Sequence, residues 1–129
     1  MWLVTIDDLS LWLDAYGQAW ERRDADGAAS LFTEEATYQW GPFEEPLRGR
    51  DAIRERWTSV VAAQADVSFA HESLAVNEAR GFARWWASFA VPAARQRVRL
   101  EGIFEVALDD DGSCYAFREW WNAEEEPLP

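Results

Sequence analysis

The period of the hydrophobic pattern changes about halfway along this 129-residue chain, and this change strongly restricts the fold. As far as about residue 63, apolar side chains recur at the spacing of one helix face. Beyond that point they alternate with polar side chains, as in strands that bury one face. Four strands are predicted there, over residues 67–76, 81–91, 96–108 and 113–123. Because only short turns separate them, and a parallel connection needs about a dozen residues, an antiparallel meander is predicted.

Three helical segments are predicted before the meander. The first begins at a capping box formed by Thr5 and Asp8, and its apolar face continues to about residue 23. The second is a short face over residues 28–32, and the third runs over about residues 51–63. Helices packed on one side of a meander make a two-layer α+β structure, so a single domain over residues 1–129 is expected.

Two shorter segments complete the predicted secondary structure. Residues 37–40 favour a short strand, which leads into a loop because Gly41-Pro42 and Glu45-Pro46 follow. The acidic residues and the proline at 124–127 predict a solvated, frayed tail.

Charge and cysteine content exclude several classes of partner. The net charge of −12 argues against nucleic acids and anionic membranes, since both bind positive surfaces. The single cysteine, Cys114, cannot form an intramolecular disulfide, and residues 1–8 lack the features of a secretory signal. No apolar run reaches the roughly 18 residues that span a bilayer. A cytoplasmic protein without membrane attachment is therefore expected.

Segments at 31–38 (LFTEEATY), 47–53 (LRGRDAI) and 117–121 (FREWW) carry a resemblance to a known superfamily. In this order of elements they resemble the nuclear transport factor 2-like superfamily, and its SnoaL-like branch in particular. The resemblance implies a cone-shaped roll, in which a strongly curved antiparallel sheet packs against three N-terminal helices around an internal pocket. Its members include ketosteroid isomerase, limonene epoxide hydrolase, scytalone dehydratase, polyketide cyclases and non-catalytic binding modules, so the fold does not determine the function.

The resemblance also implies which face of each strand lies inside the cone. Four side chains of the last strand are expected to point inward: Tyr115, Phe117, Glu119 and Trp121. Their neighbours would then point outward. A register slip of one residue would bring Arg118 into the pocket in place of Glu119.

The opposite face of the same strands mixes charged residues with large apolar ones. Trp86, Ile103 and Trp120 are expected there, among arginines and glutamates. A monomer rarely exposes such rings together, so this face predicts a homodimer interface. In the alternative, the aliphatic stems of arginine side chains cover the rings in a monomer.

For two mechanisms known in the superfamily, this chain has only some of the required residues. By resemblance, Tyr16 takes the donor position of ketosteroid isomerase, but Trp40 stands where that enzyme has its carboxylate base. A scytalone dehydratase-like site needs two histidines, and His71 is the only histidine of the chain. His71 is expected to alternate inward, either as an acid or base or as a hydrogen-bonded part of the wall.

Limonene epoxide hydrolase-like chemistry is also incomplete. It needs a water held by tyrosine and asparagine, together with an Asp-Arg-Asp set. Tyr38 and Glu119 fall on two of these positions by resemblance. The other three are occupied by Trp40, Trp85 and Ala87, which removes the asparagine, the arginine and one carboxylate.

Glu119 is the strongest catalytic candidate in the sequence. A carboxylate on an apolar strand face, between Phe117 and Trp121, is strongly desolvated unless it has a partner. The alternative is a buried structural ion pair with an arginine such as Arg84 or Arg118.

No metal or cofactor is expected. With one histidine and one cysteine, the chain shows no recognisable ligand spacing, and residues 109–112 favour a hairpin turn over a calcium loop. A glycine-rich phosphate loop is also missing from the sequence.

The sequence therefore predicts a homodimeric SnoaL-like protein that binds a small apolar or aromatic molecule. As an isomerase, dehydratase or cyclase it would use Glu119, with Tyr38, Tyr16 or His71 as hydrogen-bond donors. The alternatives are a binding module without catalysis, and an interaction domain whose nine tryptophans fill the cone. The predicted ligand-binding residues are Trp20, Trp40, Trp57, Trp85, Phe104, Phe117 and Trp121.

Overall fold

The computed structural model describes residues 2–129. Within this range the chain forms three α-helices that pack on one six-stranded sheet, which confirms the predicted α+β class. The elements are α1 (Ile6–Glu21), α2 (Ala25–Ala29), β1 (Phe32–Gln39), β2 (Leu47–Arg48), α3 (Arg50–Ala62), β3 (Ala65–Asn77), β4 (Arg80–Val91), β5 (Gln96–Leu108) and β6 (Cys114–Pro127), with a 3₁₀ turn at Pro92–Ala94.

Helix α1 begins at the predicted capping box. The Thr5 hydroxyl accepts from the Asp8 amide at 3.0 Å, and the Asp8 carboxylate accepts from the Thr5 amide at 2.9 Å. These two bonds satisfy amides that a helix start leaves without partners. The apolar face of the helix is buried, with Leu9 and Leu13 inaccessible to solvent. No helix within residues 2–129 is both long and apolar enough to cross a membrane.

The sheet has the strand order β2-β1-β6-β5-β4-β3. Strands β3 to β6 form the predicted antiparallel meander. Strand β1, however, pairs in parallel with β6, with Tyr38 opposite Phe117. This pairing is possible because the long segment between the two strands supplies the required crossover. Local turn patterns cannot predict it, because the two strands lie at opposite ends of the chain.

Three predicted boundaries differ from the structure. Phe32, expected in the second helix, begins β1, and a two-residue strand β2 pairs beside it at Tyr38↔Leu47. The tail predicted to fray is the end of β6, where Glu126 pairs with Arg97 and Pro127 with Gln96. Its side chains are exposed, as composition suggests, but the ladder with β5 holds the backbone.

A β-bulge at Tyr115 changes the alternation at the start of β6. Leu108 pairs with Cys114 and Ala107 with Ala116, so Tyr115 has no partner in the ladder. The prediction that Tyr115 points inward is therefore wrong: it is 39% exposed, whereas Cys114 is fully buried. Because a bulge inserts one extra residue, the side chains on one side of it point to the opposite face of the sheet from the one that simple alternation predicts. Beyond the bulge, Phe117 and Glu119 are buried as expected.

Aromatic side chains fill most of the space between the helices and the sheet. Tyr16 of α1 stacks on Phe117 of β6 with ring centroids 5.5 Å apart, and it meets Phe104 of β5 edge to face. Trp85 of β4 stacks on Phe104 at 4.6 Å. Such pairs add to the stability gained from burying the rings, and they surround the one buried carboxyl group of the described chain.

Candidate functional site

The candidate site is a buried chain of three hydrogen-bonding groups from three elements. The hydroxyl oxygens of Tyr16 on α1 and Tyr38 on β1 are 2.8 Å apart. The Tyr38 hydroxyl in turn donates to Oε2 of Glu119 on β6 at 3.3 Å. Either tyrosine can be the donor in the first bond. The arrangement joins three predicted catalytic residues.

Burial determines the protonation state of Glu119, which is only 6% exposed. Desolvation raises the pKa of its carboxyl from 4.5 to about 8, although the Tyr38 hydrogen bond and the Arg56 charge both lower it. Burial also raises the pKa of Tyr16 and of Tyr38 well above the ordinary value. At neutral pH all three of these side chains are therefore uncharged, and a neutral Glu119 carboxyl has a proton to donate.

Aromatic rings from β6, α3 and the end of β1 pack around these hydrogen-bonded side chains. The Tyr38 ring lies between Trp40 at 4.5 Å and Phe117 at 4.4 Å. Trp57 of α3 packs against Trp40 with ring centroids 5.6 Å apart. The surroundings are thus apolar, which explains why the neutral carboxyl is favoured.

Trp40 joins the enclosed groups to the protein surface. The Arg56 guanidinium lies 4.9 Å from the centre of its ring, within the range of a cation–π contact. The Trp40 carbonyl oxygen accepts a hydrogen bond of 2.8 Å from the indole of Trp121. Trp121 is 47% exposed, so it lies at the edge of the aromatic cluster and not inside it, contrary to the predicted inward direction.

The sheet side of Glu119 is formed by neighbouring strands. Phe104 is its cross-strand partner on β5. Trp85 lies against Phe104, and Trp20 of α1 is 6.1 Å from Trp85. The predicted ligand-binding rings are therefore contiguous, but their role in binding stays a prediction.

His71 does not join the tyrosine–glutamate chain. Its Nε2 lies 2.7 Å from Oδ1 of Asp14, across the packing of β3 on α1. A second bond, between the hydroxyls of Ser10 and Ser73 at 2.8 Å, joins the same two elements. This geometry agrees with the reading of His71 as a hydrogen-bonded wall residue.

The alternative in which Glu119 forms a structural ion pair is wrong. Arg84 pairs with Glu101 at 2.7 Å, and Arg118 lies 3.8 Å from Glu105. Both arginines alternate to the face of the sheet opposite Glu119, because side chains of adjacent strand positions point to opposite sides. The partner of Glu119 is a tyrosine hydroxyl.

Gln64 is a buried polar residue that the sequence does not single out. It is 7% exposed and lies between α3 and β3. Its Oε1 accepts from the indole of Trp20 at 2.7 Å, and its carbonyl oxygen accepts from Arg23 at 2.6 Å. Periodicity gives no signal for such a position, because it belongs to neither the helical nor the strand pattern.

Two hollows open on the surface outside this site. One, of about 400 Å³, crosses the outer face of the sheet between Trp86 and Glu124. The other, of about 410 Å³, lies beside Leu11 of α1 and the turn at Asp110. Glu119 lines neither hollow.

The acidic turn before β6 has the geometry of a hairpin turn. The Asp109 carboxylate accepts from the amides of Asp111 and Ser113, at 3.0 and 2.9 Å. The carboxylate oxygens of residues 109–111 lie within 4.8 Å of one another, but Asp110 and Asp111 are exposed and Asp109 is bonded to the turn itself. These contacts agree with the turn predicted from the sequence.

The amino-acid sequence matches one family of known proteins. The family pattern of the SnoaL-like domain matches residues 13–117. No curated protein sequence matches the chain significantly.

Solved structures agree with the fold. The epoxide hydrolase/cyclase-like enzyme SalBIII, which is described in pyran ring formation in the polyether salinomycin, superposes with a TM-score of 0.78 at 22% identity, covering 92% of this chain and 95% of that one. RV0760c from Mycobacterium tuberculosis superposes with a TM-score of 0.81 at 12% identity, covering 95% of this chain and 99% of that one. A proposed isomerase from Bacillus subtilis superposes with a TM-score of 0.81 at 16% identity, covering 92% of this chain and 90% of that one. At these identities the likeness shows the fold alone.

Proposed function

Because the chain belongs to the SnoaL-like domain family, we propose that it is an isomerase or cyclase in which Glu119 acts as a general acid on a small apolar molecule. The observation that supports this most is the buried Glu119 carboxyl with Tyr38 bonded to one of its oxygens. In the proposed acid form, Tyr38 donates to Oε2 and the carboxyl proton is on Oε1. That oxygen is the group offered to a substrate.

A hydroxy epoxide is a substrate for which proton transfer from and back to Glu119 gives a balanced reaction. Glu119 gives its proton to the epoxide oxygen as one carbon–oxygen bond of the strained ring breaks. The hydroxyl oxygen of the same substrate forms the new bond to that carbon, and its proton returns to the Glu119 carboxylate. No atoms are gained or lost, so the step is an isomerisation that closes an ether ring. Tyr38 and the Arg56 charge stabilise the transient carboxylate.

Turnover of a panel of hydroxy epoxides and cyclic ketones tests this function. The Glu119→Gln variant is expected to lose about 100-fold or more in kcat/KM, because glutamine keeps the shape but cannot donate the proton. In the wild-type protein, kcat/KM should be level below about pH 8 and fall above it, since the acid form is lost there.

Glu105→Gln is the matched control, because Glu105 lies on the outer face beside Arg80 and Arg118. It should leave turnover unchanged. Full activity in the Glu119→Gln variant would reject the assigned role.

A binding module without catalysis is the second candidate. It is favoured by the aromatic packing around Glu119 and by the rings at Trp40 and Trp85, two positions where the resemblance to limonene epoxide hydrolase implies polar groups. Ligand-dependent quenching of the tryptophan fluorescence, with the ligand recovered unchanged, would favour this function over the enzyme.

We also propose that the protein is a homodimer formed through the outer face of the sheet. Arg84 lies 4.4 Å from the ring centre of Trp86, and Arg118 lies 4.9 Å from that of Trp120. The face thus offers partly buried rings beside charges of both signs, and Ile103 pairs with Arg84 on β4 and with Trp120 on β6. A surface with both signs of charge can complement a second copy of itself about a two-fold axis.

Sedimentation velocity at micromolar concentration tests the dimer. The wild-type protein is expected to sediment as a dimer, and Ile103→Glu as a monomer, because the added carboxylate would be desolvated at the interface beside Glu101 and Glu105. Leu11→Ser, on the exposed side of α1, should not change the mass. A monomeric wild-type protein would contradict the dimer and favour rings covered by arginine stems.

A further inference from the structure

The hollow beside α1 is separate from the candidate site, and apolar side chains form more than half of its lining. Its volume is about 410 Å³, which is enough for a small organic molecule. Helix α1 contributes Leu11, Trp12 and Ala15. Leu31, just before β1, and Leu108, at the end of β5, also line it. Leu11 is 69% exposed, so a molecule that covers it would gain the free energy of burying apolar surface.

Trp12 gives this hollow a fixed wall. Its indole N–H donates to the carbonyl oxygen of Leu31 at 3.1 Å. Its ring also contacts the rings of Phe32 and Phe117, with centroids 5.5 and 5.8 Å apart. On the side of the turn before β6, a Cβ atom added to Gly112 would meet no atom of residues 2–129 within 4 Å. The hollow is therefore already open, and a ligand can enter it without rearrangement of the core.

The charged side chains that line the hollow are all acidic. They are Asp8, Asp110 and Asp111. Asp8 is bonded within the capping box of α1. Asp110 and Asp111 are exposed, and one carboxylate oxygen of each lies within 4.8 Å of the other. Within the described chain, neither of these two forms an ion pair with an arginine. Two negative charges so close repel each other, and a cation beside them would lower that repulsion.

We propose that this hollow binds small organic cations in which an ammonium group is joined to an aromatic or aliphatic skeleton. The skeleton covers Leu11 and the apolar lining, and the ammonium group lies beside the carboxylates of Asp110 and Asp111. A metal ion would leave the apolar lining in water, and Asp109, the third carboxylate of the turn, already accepts from two backbone amides. The proposal does not depend on the proposed function, because Glu119 does not line the hollow.

The overall charge of the protein is the competing explanation for any binding of cations. A net charge of −12 attracts every cation, wherever it lies on the surface. That attraction falls off over about 10 Å at 0.1 M salt, and it does not depend on which carboxylates remain. A test of the hollow therefore needs a control variant that loses the same number of negative charges elsewhere.

Three molecules with one skeleton test the proposal by calorimetry and by ¹H–¹⁵N NMR of the full chain, with EDTA present to remove metal ions. They are 4-phenylbutylamine, 4-phenylbutan-1-ol and 4-phenylbutanoate. At low salt the amine is expected to bind about tenfold more tightly than the alcohol, and the anion most weakly, because two exposed carboxylates have about that effect. High salt should reduce the preference to about twofold. The amide signals that move should be those of residues 8–15 and 108–112.

Two variants separate the charged part of the hollow from its apolar part. The double variant Asp110→Asn, Asp111→Asn should reduce the preference for the amine over the alcohol to about twofold or less, while the alcohol binds as before. It is expected to fold, because the side-chain hydrogen bonds of this turn come from Asp109. Ala15→Leu keeps both carboxylates but fills part of the space, so it should weaken the amine and the alcohol alike, by about fivefold or more.

The matched control is the double variant Glu44→Gln, Glu55→Gln. It removes the same two charges from exposed positions that do not line the hollow, and it should keep the tenfold preference. An equal loss of preference in both double variants would show that only the net charge attracts the amine, and it would overturn the proposed site. Equal binding of amine and alcohol, no binding of either, or movement of amide signals only outside residues 8–15 and 108–112 would overturn it as well.

Discussion

Replacing Glu119 by glutamine is expected to stabilise the protein at pH 8 by a few kcal/mol and to have little effect near pH 4. In the folded protein, burial raises the pKa of the Glu119 carboxyl from 4.5 to about 8. Between these values the unfolded chain has released the proton and the folded chain still holds it. Folding then requires uptake of a proton, so stability falls as the pH rises through this window. Glutamine does not ionise and escapes this loss.

Thermal unfolding of both proteins from pH 4 to pH 9 measures the effect. The melting temperature of Glu119→Gln should exceed that of the wild-type protein by roughly 10 °C at pH 8, and the difference should vanish below pH 4.5. Glu101→Gln serves as the control, because its half-exposed pair with Arg84 contributes little to stability. A difference that does not change with pH would show that the pKa of the Glu119 carboxyl is the same in the folded and unfolded states.

Gly102→Ala is expected to destabilise the protein by about 3 kcal/mol or more. A Cβ atom at Gly102 would lie 1.8 Å from the carbonyl oxygen of Trp120 and 2.8 Å from Cα of Trp121. Both are backbone atoms of β6, so no side-chain rotation can relieve the clash. Strands β5 and β6 would have to separate where Gly102 pairs with Trp121, two residues from the pair of Phe104 with Glu119.

Denaturant unfolding followed by circular dichroism tests this, with Gly41→Ala as the matched control. A Cβ at Gly41 would have its nearest neighbour, Cγ of Glu44, at 3.5 Å, an ordinary contact. The control should unfold within about 0.5 kcal/mol of the wild-type protein. Equal midpoints for both variants would mean that the two strands tolerate a side chain at Gly102.

The parts of the fold that depend on local signals could be predicted. Thr5, Asp8 and the apolar face after them define α1 in both sequence and structure. Alternation placed Phe117 and Glu119 inside, yet it failed at Tyr115. A bulge adds one residue to a strand, and no particular residue type signals it here, so the alternating pattern cannot locate it.

The residues of the candidate site could be listed from the sequence, but their contacts could not, and their role in catalysis stays a prediction. The resemblance brought Tyr16, Tyr38 and Glu119 together as candidates, and the structure places them in one hydrogen-bonded chain. It also suggested His71, which lies with Asp14 instead. The polar role of Gln64 depends on which groups meet in three dimensions, and one sequence does not contain that information.

The parallel pairing of β1 with β6 has a consequence for folding. Tyr38 and Glu119 are 81 residues apart in the chain, and they meet only when the last strand closes on the first. Contacts between such distant segments form late, because the entropy of closing the intervening loop opposes them. A partly folded chain can hold its helices and most of the meander and still have no acid group in an apolar setting. The proposed acid site is therefore assembled only when β6 has closed on β1, which brings Tyr38 to Glu119.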